Sequence, residues 1–310
     1  MKLILTLAGL LVTLSVSSFV SADKVAPPKP APIPGDAART LLKGVVNKAI
    51  LPLYESLDAK AQSLVTTTQS FCEKPDSEGL DDTRDKWAEV LSGWSKTSGL
   101  LFGPAVENEI DFSIYFRPAK KAVIKNVLAG EGDIDLTAIG KAGVGGQGLA
   151  TLEYLLFDRE LSDEQQLSAF MADEQRRCDY LVSASTLLAK NLKTIVHGWV
   201  SDGGNYGEAM WTAGEGSAYF TEAYQPVELL VNSLYQSVQA VEIKKLGVPL
   251  GLRGSRSGKP KAYPYKLEAW RSGRSLANIN STLSGLQSVL VEGGILQWLR
   301  DNKHADLAKQ

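Results

Sequence analysis

Residues 41–57 read LLKGVVNKAILPLYESL, and their spacing sets the class of fold. Leu41, Leu42, Val45, Val46, Ala49, Ile50, Leu53, Tyr54 and Leu57 recur at intervals of three and four, one continuous apolar stripe along a helix. Pro52 lies inside the stripe and predicts a kink or a split, because its ring removes a backbone donor. The pattern resumes through Ala61, Leu64 and Val65 to Cys72, where Lys74-Pro75-Asp76 breaks it.

The same period runs through the rest of the chain. A second helix is expected from about Leu80 to Leu101, with Trp87, Val90, Leu91 and Trp94 on one face, ended by Gly103-Pro104. Residues 107–147 read as a loop entering a helix, and a helix restarts near Gln147 after a glycine-rich stretch. Residues 163–200 predict one long helix opened by a capping box, Ser162 with Gln165. Further helices are expected over 217–245, with Pro226 bending its front, and over 267–290. No segment sustains the alternation of a strand. The class is therefore all-α, with helices long enough to form two packed helical-bundle halves. Those halves are expected at 36–160 and 161–310.

The N-terminus carries a different message. Met1-Lys2, an apolar run from Leu3 to Val20 and the small-residue end Val20-Ser21-Ala22 read as a secretory signal peptide over 1–22. Residues 23–35 hold five prolines and read as an extended tether. No transmembrane segment is expected after cleavage. The formal net charge of −2 leaves no electrostatic footprint for nucleic acid. The two cysteines, Cys72 and Cys178, pair in an oxidising compartment or remain as buried thiols.

Candidate chemistry centres on Gly148-Leu149-Ala150-Thr151-Leu152-Glu153-Tyr154-Leu155-Leu156-Phe157. On a helix Leu149, Leu152, Glu153 and Leu156 share one face, so the carboxylate points where its neighbours are buried. That is costly without a partner. Either Glu153 is neutral, or it meets an Arg, a Lys, hydroxyls or a metal. A second stretch, Glu268-Ala269-Trp270-Arg271-Ser272-Gly273-Arg274-Ser275-Leu276, places small residues Ser272 and Gly273 on the inner face of a helix. Arg271 and Arg274 flank that face; they either reach Glu153 or cover the surface. Gly254-Ser255-Arg256-Ser257-Gly258 has the outer glycines of a nucleophile elbow but Arg256 where the serine must sit. The loop over 247–265 lacks a phosphate-cradling motif.

The first stretch resembles the signature of the imelysin family, Gly-x-His-x-x-Glu followed by Tyr-Leu-Leu. The second resembles another motif of that family, as does Trp94 followed by Gly103-Pro104. The resemblance covers residues 36–300. It implies two helical bundle halves with the signature near their junction, export to the periplasm, a link to iron uptake and a nominal metallopeptidase class. One departure matters: the signature His falls at Ala150, so the His–Glu grip on a metal is lost. Glu153 is left as the one candidate ligand for a metal, with iron the implied cofactor. The remaining histidines, His197 and His304, form no His-Glu-x-x-His motif.

The expected function is a non-catalytic binding protein that takes a metal, a metal complex or an envelope protein. The expected pocket comprises Glu153, Tyr154, Trp270, Arg271, Ser272, Arg274 and Ser275. The alternatives are a metallopeptidase with other ligands and an envelope scaffold.

Overall fold

The computed structural model describes residues 35–172, 175–253, 261–302 and 304–309. The signal-peptide reading, the tether up to residue 34 and the Gly254–Gly258 stretch lie outside them. The described residues form one compact unit. Among the described residues there is no strand, and no helix is long and apolar enough to cross a membrane.

The helices are α1 (Gly35–Val45), α2 (Leu51–Glu73), α3 (Ser77–Lys96), α4 (Ile110–Tyr115), α5 (Lys121–Ala129), α6 (Leu136–Lys141) and α7 (Gly148–Leu156). They are followed by α8 (Asp163–Met171), α9 (Arg176–Trp199), α10 (Tyr206–Trp211), α11 (Gln225–Gln239), α12 (Ser275–Val291) and α13 (Ile295–Asp301). The stripe at 41–57 is split where Pro52 demands it. A π-turn, Val46–Ile50, separates α1 from α2, with the Leu51 N–H reaching back to the Val46 carbonyl, and Pro52 falls just after it in the first turn of α2. Most of the stripe is buried, from Leu41 to Leu57 and on through Ala61 and Leu64, with Leu53 and Val65 only partly covered and Ala38, Thr68 and Phe71 extending the buried face.

The most extensive packing is of α2 along α9 and α3, and of α3 along α12. The short helix α7 lies under this frame, against α9, α3 and α4. Cys72 and Cys178 are joined in a disulfide that ties the end of α2 to the start of α9, with Cα atoms 5.5 Å apart.

Three predicted helices differ from the observed ones. The helix expected over 163–200 is interrupted: the Ser162–Gln165 capping box opens α8, but α9 starts afresh at Arg176 after Gln175 at φ 70°. Tertiary ties fix that restart. Arg176 donates to the carbonyls of Val127, Leu128 and Gly132, and Cys178 is bonded to α2. The helix expected from Ser217 begins at Gln225, because Pro226 occupies a first-turn position rather than an interior one. Ahead of it, Ser217 and Gln225 accept from loop amides at Tyr219, Phe220, Thr221 and Glu222. The helix expected from 267 begins at Ser275. Ahead of it Ala269 takes φ 49° and Gly273 takes φ 72°, a turn that no helix includes.

Candidate ligand-binding site

Every residue of α7 is buried, so this helix has no solvent side. Its start needs a glycine. Gly148 has φ 72°, and a Cβ there would stand 2.4 Å from the Ile114 carbonyl oxygen. Its end needs donors, since the last carbonyls of a helix have no partner within it. Gln166 Nε2 and Arg177 Nη2 donate to the Leu155 carbonyl at 2.6 and 2.7 Å, and Arg84 Nε donates to that of Leu156 at 3.0 Å. Two guanidinium groups at the negative end of the helix dipole add to the hold. Trp87 Nε1 donates to the Leu149 carbonyl at 3.0 Å.

Glu153 projects from this helix at 6% exposure. Its Oε1 accepts from the Ser272 amide at 3.0 Å and the Ser272 hydroxyl at 2.9 Å. The amide is available only because residues 268–274 are not helical. That turn is braced from three sides. The Arg274 amide donates to the Ala269 carbonyl at 3.1 Å, the Ser275 hydroxyl donates to the Glu268 carbonyl at 2.6 Å, and Arg159 donates to the Arg271 carbonyl at 2.8 Å.

The two arginines have separate places. The Arg271 guanidinium stacks on Trp270 and Tyr154, 4.5 and 5.1 Å from the ring centroids, and acts on Glu153 through its charge. Arg274 pairs with Asp85 at 3.4 Å on the surface. The structure thus brings Glu153, Tyr154, Trp270, Arg271 and Ser272 together; Ser275 braces the turn behind them.

A second buried carboxylate went unassigned in the sequence. Glu268, on the same turn and 6% exposed, forms an ion pair with Lys245 Nζ at 2.8 Å, and Arg117 stands 3.9 Å away. Lys245 also donates to Thr282 Oγ1 at 3.0 Å. The phenol of Tyr115 is buried where both Glu268 and Glu153 act on it. Burial first, then those two charges, raise its pKa well above the ordinary value. The only sequence signal for this cluster was the presence of Glu268 in the second motif.

Burial likewise raises the Glu153 carboxyl above its ordinary value, while the Ser272 amide and hydroxyl and the Arg271 charge pull it back down. The sign follows from linkage. The stabilisation linked to its proton is fully present below the ordinary carboxylate range and is lost as pH rises through the raised folded value. Glu153→Gln keeps an oxygen for both Ser272 donors and has no proton to lose. Urea unfolding is therefore expected to give matching stabilities in acid, with Glu153→Gln gaining on the parent as pH rises to neutrality. Parallel profiles would contradict the burial-driven shift.

A metal ion does not fit this donor set. Glu153 Oε1 already accepts two hydrogen bonds, Arg271 supplies a positive charge, and Ala150 offers no ligand one turn earlier. Among the described residues no three His, Cys, Asp or Glu side chains are grouped so as to hold a metal ion.

The chain is 25% identical over 282 residues to iron-regulated protein A of Synechococcus elongatus, covering 87% of this chain and 70% of that protein. Its fold is that of an imelysin-like protein from Psychrobacter arcticum, with a TM-score of 0.71, 22% identity, and 89% and 81% of the two chains covered. It is also that of an iron-regulated protein A precursor from Parabacteroides distasonis, with a TM-score of 0.67, 21% identity, and 83% and 74% covered. The profile of the imelysin family matches residues 50–310, and the chain belongs to that family.

Proposed function

We propose that this protein serves iron handling in the periplasm by binding a metal complex or an envelope partner at the polar site between its helical halves, without hydrolysing peptides. The observation that carries this reading is the state of the signature carboxylate. Glu153 is held by Ser272 beside Arg271, and Ala150 stands in place of the histidine. Hydrolysis by a bound zinc or iron needs several protein ligands and an activated water. A closed, arginine-flanked carboxylate suits recognition instead. The reading of residues 1–22 as an export signal supports the compartment, and the name of one relative, iron-regulated protein A, supports the iron link.

The test is metal analysis of natively purified protein together with titration by ferric ion, haem and a ferric chelate. A chelate or haem is expected to bind, with substoichiometric resident metal and no chelator-sensitive peptide cleavage. A stoichiometric metal whose removal abolishes peptide hydrolysis would establish the metallopeptidase reading in its place.

A further inference from the structure

A cavity of ≈ 320 Å³ opens beside Glu268, walled by the end of α3, by α4 and by the π-turn Ala240–Gly247 that continues α11. That size lies at the small end of the range for organic ligands. Three features of the wall restrict what fills it.

The first is charge. Arg117, Lys244 and Lys245 face Asp111 and Glu268 across the cavity. Lys245 is committed to Glu268 at 2.8 Å, whereas Arg117 stands 3.9 Å from the same acid. Lys244 enters no ion pair among the described residues. With Asp111 counted, three cations face two carboxylates, a surplus of one positive charge that favours an anion over a bare metal cation.

The second is an unused polar atom. Ser95 lines the cavity at 2% exposure, and its hydroxyl has no hydrogen-bond partner among the described residues. A buried hydroxyl left unpaired costs free energy that a ligand oxygen would recover. Its neighbours in the wall, Ser98 and Ser237, are already joined to each other at 3.1 Å.

The third is backbone. Lys244 and Lys245 both lie on the π-turn. Such turns interrupt regular helices and recur at functional sites.

We infer that this cleft binds a small hydroxycarboxylate, free or as the shell of a metal chelate, with carboxylates on Lys244 and Arg117 and a hydroxyl at Ser95. The inference rests on the binding reading above but assigns the ligand to this cleft beside Glu268, whose wall does not include Glu153, Arg271 or Ser272. Carboxylate is favoured by the two cations, and a hydroxyl-bearing one by the orphaned serine.

Calorimetric titration of the full-length protein with citrate, and with tricarballylate as the same tricarboxylate without its hydroxyl, tests it. Citrate is expected to bind, and tricarballylate to bind about tenfold more weakly, the effect of one hydrogen bond worth ~1.4 kcal/mol. Lys244→Gln, at an exposed side chain that leaves the fold alone, is expected to weaken citrate about tenfold. Ser95→Ala is expected to erase the preference for citrate. Absence of citrate binding at millimolar concentration overturns the inference. So does binding that is unchanged in both Lys244→Gln and Arg117→Gln. Ferric chelate binding that persists without any citrate binding overturns the cleft assignment while leaving the iron-handling reading intact.

Discussion

Lys245→Met is expected to lower the free energy of unfolding by about 3–5 kcal/mol, the range for removing one partner of a buried ion pair. The lysine is 10% exposed and Glu268 is 6% exposed, so neither charge is well screened by water. Methionine fills most of the space of the lysine stem but leaves the Glu268 carboxylate without its cation at 2.8 Å. It also removes the donor to Thr282. Arg117, 3.9 Å from the carboxylate and partly exposed, recovers a fraction of the loss by moving closer, which places the effect toward the lower end of that range. The decisive comparison is the double variant Lys245→Met/Glu268→Gln. Neutralising the orphaned acid should return at least half of the lost stability, because the cost lies in a buried unpaired charge rather than in a vanished attraction. Urea denaturation of the parent, both single variants and the double variant closes the cycle. Additive losses across the cycle would show that the pair does not interact as its geometry requires.

The extent to which this could be read from the sequence follows from the range of the forces involved. The stripe at 41–57 announced a helix because periodicity is local, and Pro52 announced a break because its missing N–H is local too. The burial of Glu153 was legible in the same way, from leucines one turn to either side. Its partner was not. The Ser272 amide points at the carboxylate because Ala269 and Gly273 leave the helical region, and that departure is held by bonds from Arg159 and Ser275. Apolar spacing through 276–290 is continuous with a helix starting at 267, so only those tertiary bonds distinguish a turn from another helical turn. Lys245 and Glu268 each sit at the edge of a recognised segment, and nothing in either segment specifies the other. The same holds for α8 and α9, whose shared periodicity hides an interruption fixed by contacts of Arg176 with the end of α5. Family resemblance pointed to the candidate residues; packing shows which of them meet.

Removing the Cys72–Cys178 disulfide is expected to cost about 2–4 kcal/mol, the typical range for a native crosslink. Its separation of 106 residues makes the closed loop long, and chain entropy alone would set the effect at roughly 4–5 kcal/mol for a loop of this size. The measured value should fall below that figure, because the unfolded chain is more compact than the entropy calculation assumes. The folded state should survive the loss. Helices α2 and α9 pack along each other over their length, and Phe71 beside the crosslink stacks edge-on against Phe170 at 5.1 Å. Cys72→Ala/Cys178→Ala is the better variant, since alanine leaves no unpaired hydroxyl at positions that pack against the core. Two routes to the broken crosslink, this double substitution and reduction of the parent, should shift the urea midpoint by similar amounts. Helical circular dichroism should stay unchanged in both. Thiol titration of the denatured, unreduced protein checks the premise directly: two reactive thiols per chain, with a midpoint indifferent to reductant, would mean that α2 and α9 are held by packing alone.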